Sequence, residues 1–250
     1  MPMPLRHNEI LEMLKAEGRV AVMELAGKLQ VSDETIRRDL KELEAQGLAR
    51  RIHGGAITPR QDQEEPLLER EKFNMREKAR IAQLASRMVG DGMSVFLDTG
   101  TTTLALARRL TARQLRVTTN SLDIALALRD KDVRVEVTPG TLRSNDNALI
   151  GIDTLDYARQ RYYDVAFMGI AACTLAQGWM DYAQDESALR RVLFAQARQS
   201  VLLADHSKFG RQAYMRTFAL DEVKCVVSDR APPRPLREAF DAGGVHLVVD

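Results

Sequence analysis

Two groups of residues in this chain have types and spacings that could do chemistry. In the first, Ser32, Thr35, Arg37, Arg38 and Lys41 follow one another at short intervals, with Arg50, Arg51 and His53 soon after. Guanidinium forks meet phosphate oxygens and guanine edges through paired hydrogen bonds, so arginines held on one face suit duplex DNA. In the second, Asp98-Thr99-Gly100-Thr101-Thr102-Thr103 places one glycine among hydroxyls directly ahead of a helical pattern. Free N–H groups at a helix start, together with hydroxyls, make an anion cradle suited to a phosphate. A dinucleotide is disfavoured, because G-x-G-x-x-G needs glycines that this loop lacks.

The first group needs a helix to present it. Ser32 reads as its N-cap, Asp33 and Glu34 suit the positive end of its dipole, and Gly47 lies just past its end. Ile36, Leu40 and Leu43 fall at i, i+4 and i+7 and form one apolar stripe. Glu34, Arg38 and Lys41 lie roughly opposite, flanked by Thr35 and Arg37. A first helix is expected over Arg6 to Glu17, with Ile10, Leu11 and Leu14 inside and Gly18 as its stop. A second is expected over Met23 to Leu29, with Leu25, Ala26 and Leu29 inside. The short Gln30-Val31-Ser32 connection then gives helix-turn-helix spacing. Leu48 to Ile52 alternates like a strand, His53-Gly54-Gly55 turns, and Ala56-Ile57-Thr58 returns as a wing. The third helix is thereby set for the major groove, and the wing arginines for the backbone or minor groove. A protein-interaction module of the same shape is the plainer reading of this head.

The second group needs a parallel sheet. Pro59 to Lys72 is polar and charge-dense, which divides the chain into a head over 1–58, a linker over 59–74 and a second domain over 75–250. A helix is expected over Met75 to Val89, with Ile81, Leu84, Ala85 and Met88 inside. Short apolar runs then alternate with helical ones. Strands are expected at Met93 to Leu97, Leu115 to Thr118, Val133 to Val137, Val165 to Met168, Val201 to Ala204, Val223 to Val227 and Val245 to Val249. Between them fall helices over Thr102 to Leu110, Leu122 to Leu128, Ile152 to Gln160, Asp185 to Arg198 and Leu236 to Phe240. This alternation is the mark of βαβ units with strands buried on both faces. Ligands of such sheets sit beyond the strand carboxyl ends. There the chain places Asp98 to Thr103, then Thr119-Asn120-Ser121, Thr138-Pro139-Gly140 with Arg143, Gly169, and Asp205 to Gly210 with Lys208. Phosphate needs cations and N–H donors, and sugar hydroxyls need Asp and Asn, so the set points to a small polyol phosphate.

Composition sets the limits. The 250 residues are 45% hydrophobic and 28% charged, with a net charge of +1, so any DNA binding must come from local clustering of arginine. Cys173 and Cys225 are isolated and lack metal-ligand spacing, which points to reduced, partly buried thiols and no metal site. No cofactor is expected. The amino terminus lacks an apolar signal core, and no run approaches the roughly 18 apolar residues that a membrane span needs. The expected location is the cytoplasm.

Residues 6–57, with TIRRDL at Thr35 to Leu40 and RIHGGA at Arg51 to Ala56, resemble the winged DNA-binding head of the DeoR family of bacterial sugar-metabolism repressors. The resemblance implies that Thr35, Arg37 and Arg38 touch operator DNA, with Arg50, Arg51 and His53 in support. It extends over nearly the whole chain. DTGTTT at Asp98 to Thr103, TTNS at Thr118 to Ser121, ADHSKFG at Ala204 to Gly210 and the spacing of Glu186 with Arg190-Arg191 are similar to the family's effector-domain motifs. Such domains resemble ribose-phosphate isomerases and respond to phosphorylated sugars or polyols. The ADHSKFGR run most resembles the glycerol-3-phosphate repressor branch. One departure is Pro139-Gly140, where the family usually has two glycines, and proline has no N–H to offer. The resemblance implies a non-enzymatic repressor of a carbohydrate or polyol catabolism operon, acting as a homodimer or homotetramer and released from operator DNA by a phosphorylated effector. The alternative is a sugar-phosphate isomerase with an accessory head, in which Asp98, Glu186 and Asp205 offer bases and Lys208 a cation for an enediolate.

Overall fold

The computed structural model describes residues 5–45, 48–57 and 67–249. The chain divides into two compact units, Met1–Gln61 and Asp62–Asp250.

The first unit holds α1 (Leu5–Glu17), β1 (Arg19–Ala21), α2 (Val22–Leu29), α3 (Asp33–Ala45), β2 (Arg50–Ile52) and β3 (Gly55–Ile57). Ile10, Leu14, Leu25, Ile36, Leu40 and Leu43 are buried together, so the apolar stripes of the three helices meet as expected. Leu11 and Leu29 pack at the margin of that core. The strand β1 was not legible in the sequence: three residues give no alternation to read. It joins the wing as an edge strand of a sheet ordered β1-β3-β2, with Val20 opposite Ala56. Gly55 is required there, because a Cβ at that position would lie 2.0 Å from the Val20 carbonyl oxygen. The expected roles of Gly47, Thr58 and the prolines at 59 and 66 fall outside the described residues.

The second unit begins with α4 (Leu67–Lys72) and α5 (Met75–Ser86). Leu67 to Lys72 is therefore helical, where a linker was expected, and α5 ends three residues before Val89, in a turn whose N–H groups at Arg87, Met88 and Val89 bond i−3 carbonyls. The chain continues through β4 (Ser94–Leu97), α6 (Thr101–Arg109), β5 (Leu115–Thr119), α7 (Leu122–Leu128), β6 (Val133–Val137), β7 (Thr141–Arg143), β8 (Ala148–Ile150), α8 (Ile152–Arg159) and β9 (Tyr163–Gly169). It closes with β10 (Ala172–Thr174), β11 (Gly178–Asp181), α9 (Gln184–Gln196), β12 (Ala197–Leu203), β13 (Met215–Phe218), β14 (Cys225–Val227), α10 (Arg234–Ala242) and β15 (His246–Val248).

Seven strands form one parallel sheet in the order β15-β14-β12-β9-β4-β5-β6. Period-two alternation divides its side chains. Val95, Leu97, Val117, Val165, Phe167, Val201 and Val227 face a core shared with α5, α6 and α7. Phe96, Ala166, Met168, Leu202 and Val226 face the core of α8, α9 and α10 around Trp179 and Phe218. The chain builds β4, β5 and β6 outward, then returns to lay β9 against the other side of β4. The order of strands reverses between β4 and β9, and a crevice opens at the carboxyl end of such a reversal. Both-face burial holds for the middle strands but not for β6, which is an edge strand and half exposed. The α9 helix stops at Gln196 rather than Arg198, because Ala197 already pairs with Tyr163 in the sheet. The hairpin β7-β8 and the antiparallel sheet β10-β11-β13 were not anticipated. Their strands are mostly three residues long and read as loops.

Candidate DNA-binding and effector sites

In the first unit, the Ser32 hydroxyl oxygen accepts the Thr35 N–H at 3.2 Å and lies 2.8 Å from the Thr35 hydroxyl. Ser32 therefore caps α3, with Thr35 in its first turn. Arg37, Arg38 and Lys41 project from the exposed side of the same helix, and Arg50, Arg51 and His53 are exposed on the wing. Arg38 Nε lies 3.4 Å from Glu42, an exposed i, i+4 pair. Such pairs hold by less than about 1 kcal/mol and are readily exchanged for a phosphate. The Arg51 N–H donates to Glu44 at 2.8 Å and ties the wing to the helix. Asp39, which sequence reasoning left unassigned, anchors α3 from beneath. Its carboxylate accepts Arg6 Nε at 2.5 Å and Arg6 Nη2 at 2.9 Å, with His7 Nε2 at 3.2 Å. Burial pushes this carboxyl up, but Arg6 and His7 outweigh it and hold it below its ordinary value. The signal was available: an aspartate beside Leu40 on an inward face needs a partner.

In the second unit, the carboxyl ends of β4 and β9 meet a buried network built around Arg190, which α9 sends into the interior. Its Nε donates to Asp98 at 2.7 Å, and its Nη1 bonds Asp181 and lies 3.4 Å from Glu186. Asp181 also accepts the Thr217 hydroxyl at 2.6 Å and the Ala171 N–H at 3.2 Å. Burial raises the Asp98 carboxyl to about 6 against the pull of Arg190, with Glu186 and Asp181 pushing the same way. Arg143, on β7, forks onto Asp146 at 2.8 and 2.6 Å and reaches Glu186. The Thr99 N–H donates to Asn120 Oδ1 at 3.0 Å, and the Thr119 hydroxyl donates to the Leu97 carbonyl at 2.6 Å, so the ends of β4 and β5 are stitched together. Gly169, ending β9, has the Arg190 guanidinium 3.7 Å from where a Cβ would stand. Thr101 and Thr102 are buried in the first turn of α6, and Gly100 caps it with φ +146°. The hydroxyl oxygens of Thr99 and Thr138 are buried without a hydrogen-bond partner among the described residues.

Asp205 and Lys208 gather one strand further out, past the end of β12. Asp205 accepts the Ser207 N–H and the Asn74 side-chain amide, each at 3.0 Å. One turn along α5 from Asn74, the buried Lys78 donates to the carbonyls of Arg70 and Phe73, the latter at 2.6 Å. Burial lowers its ammonium to about 8, with Asp205 raising and Lys208 lowering it further. Asn74, Lys78, Asp146 and Asp181 were not anticipated; Lys78 alone gave a sign, as a charge in line with Ile81, Ala82 and Ala85. Gly140 stands apart. It is exposed, and its strained backbone (φ +137°) fits where a Cβ would lie 2.4 Å from the Thr154 hydroxyl and 2.6 Å from the Ile150 carbonyl oxygen.

A winged helix-turn-helix unit joined to an α/β unit with a buried polar network at its sheet edge defines a class of two-part regulators. Residues 6–62 match the DeoR-like helix-turn-helix domain and residues 73–230 match the DeoR C terminal sensor domain. The chain belongs to the DeoR family of transcriptional regulators. It is 37% identical to the glycerol-3-phosphate regulon repressor of Escherichia coli (strain K12), over 97% of each chain. It is 33% identical to the HTH-type transcriptional repressor GlcR of Bacillus subtilis (strain 168), over 96% of this chain and 93% of that one. Ribose 5-phosphate isomerase A from Methanocaldococcus jannaschii is similar at 20% identity and TM-score 0.40, covering 54% of this chain and 55% of that one. No described helix is long and apolar enough to cross a membrane.

Proposed function

We propose that the protein represses a carbohydrate or polyol catabolism operon in the cytoplasm, as a homodimer or homotetramer, and leaves its operator when a phosphorylated sugar or polyol fills the crevice. The head offers Arg37, Arg38 and Lys41 to the major groove and Arg50, Arg51 and His53 to the flanking backbone. The crevice offers Asp98 to Thr102, Thr119, Asn120, Gly169, Arg143 and Glu186, with Asp205 and Lys208 alongside and Gly140 holding the adjoining turn. One head contacts too few base pairs for useful specificity, which is why pairs are needed.

The observation that carries this reading over the isomerase alternative is the head itself: α3 is capped by Ser32 and leaves Arg37, Arg38 and Lys41 exposed, with Arg50, Arg51 and His53 exposed on the wing, and an isomerase has no use for such a unit. A band shift on the chain's own upstream DNA at moderate salt tests the proposal. A retarded complex that Arg37→Ala and Arg38→Ala weaken is expected, with Arg38→Ala costing about 1–3 kcal/mol. No complex, or turnover of pentose phosphates, overturns it.

A further inference from the structure

The parallel sheet has an open flank at β6, its last strand, where no described strand pairs with the outer side. An edge of this kind is a template for another strand unless something blunts it. The backbone decides which residues face outward. The Thr138 N–H donates to the Thr119 carbonyl at 3.0 Å, and the Asp132 carbonyl accepts the Gln114 N–H at 3.1 Å. Arg134 and Glu136 fall in step with these two and turn their backbone groups toward β5, so by alternation Val133, Val135 and Val137 turn theirs away from the sheet. The Val133 N–H is met by the Lys131 carbonyl at 2.8 Å. The N–H groups of Val135 and Val137, and the carbonyls of all three valines, lie along the open side.

The side chains divide the same way. Val133, Val135 and Val137 share one face with Leu122, Ala125 and Leu126 of α7, and the six line a shallow apolar groove. Leu126 is 62% exposed and Val137 38% exposed, so the groove brings large apolar side chains to the surface. On the other face Arg134 Nε lies 3.2 Å from Glu136, which also accepts the Tyr157 hydroxyl at 3.2 Å and has Arg161 Nε 3.7 Å away.

The order Val-Arg-Val-Glu-Val over 133–137 is complementary to its own reverse. An antiparallel copy placed about a two-fold axis through Val135 sets Val133 opposite Val137, Val135 opposite its counterpart, and Arg134 opposite Glu136 at both ends. The valines then form the hydrogen-bonded pairs, because theirs are the outward groups. The Arg134 and Glu136 pairs fall at the positions between, where side chains approach most closely. Sliding either way to the next register that keeps the hydrogen bonds sets Arg134 against itself or Glu136 against itself, so charge selects the centred register.

We infer that β6 is the seam between two copies of this chain, paired antiparallel about Val135, with α7 of each copy bringing Leu126 over the joined valines. This rests on the proposed homo-oligomer and assigns it a surface. The contact is isologous, so each copy offers the same residues that it receives.

Sedimentation velocity of the full chain tests the inference, at a concentration where the wild type is fully assembled. Arg134→Glu sets two carboxylates against each other at each end of the seam, and Glu136→Arg sets two guanidinium groups against each other. Either variant alone is expected to halve the assembled mass. Mixed in equal amounts, the two variants meet with opposite charges at both ends, and the wild-type mass returns. Leu126→Glu, at a position exposed in the single chain, is expected to halve the mass without disturbing the circular dichroism spectrum. Variants that keep the wild-type mass, or a mixture that fails to recover it, overturn the inference and leave a homo-oligomer joined elsewhere. A wild type that stays monomeric removes both.

Discussion

Arg190 is where the second unit is most exposed to a single substitution. Arg190→Met leaves Asp98, Asp181 and Glu186 buried without their shared cation, and breaking a buried pair from one side costs about 3–5 kcal/mol. Urea unfolding followed by circular dichroism should show that loss. Lys78 gives a different signature. Its ammonium titrates at about 8 in the fold, against 10.5 for the free side chain. Between those values the unfolded chain holds a proton that the folded chain has lost, so this group makes stability rise with pH from about 8 to 10.5. Unfolding midpoints across that window should climb more steeply for the wild type than for Lys78→Met. The residues behind these effects were only half legible in the sequence. Asp98, Asn120, Glu186 and Asp205 announced themselves by following strands or by family-like spacing. Asp181 did not, because an aspartate in a hairpin acquires its role only when the tertiary fold buries it, and Lys78 gave only the sign of a charge in line with Ile81, Ala82 and Ala85.

At the scale of elements, α3 and the wing must stay rigid for their arginines to be placed. Ser32→Ala removes the cap seen at Thr35 N–H, with an expected loss of about 1 kcal/mol from the head. Gly55→Ala is a harsher test, since its Cβ meets the Val20 carbonyl at 2.0 Å. Operator affinity should fall while the thermal transition of the second unit keeps its midpoint, because Gly55 lies in the first unit. Helices with a complete apolar stripe, such as α3 with Ile36, Leu40 and Leu43, were readable from spacing alone. So were the central strands, whose Val, Leu and Phe runs are buried on both faces. What escaped were β1, β7, β8, β10, β11 and β13, which are three or four residues long and held by pairing rather than by pattern. The short helix Leu67–Lys72 inside the expected linker escaped for a related reason: charge density carries no helical stripe to read, and the burial of Leu67 comes only from the fold.

Over the whole molecule, a net charge of +1 leaves little general attraction for DNA. On the proposed reading, binding depends on the positions of a few arginines, and in the proposed dimer or tetramer on two heads reaching two half-sites at one spacing. A chain built in this way is easily switched, because a small change in that spacing separates one head from its site. In the proposed switch, a ligand at the carboxyl ends of β4 and β9 favours one arrangement over another, and coupling of this kind spans roughly 5–150-fold in affinity. The most direct measurement is the dissociation constant for operator DNA, taken by fluorescence anisotropy with and without a saturating sugar phosphate, for the wild type and Lys208→Met side by side. The account predicts that the wild type weakens within that range and that Lys208→Met binds DNA normally but ignores the ligand. An unchanged wild-type constant under saturating ligand, or full release of Lys208→Met, would contradict it.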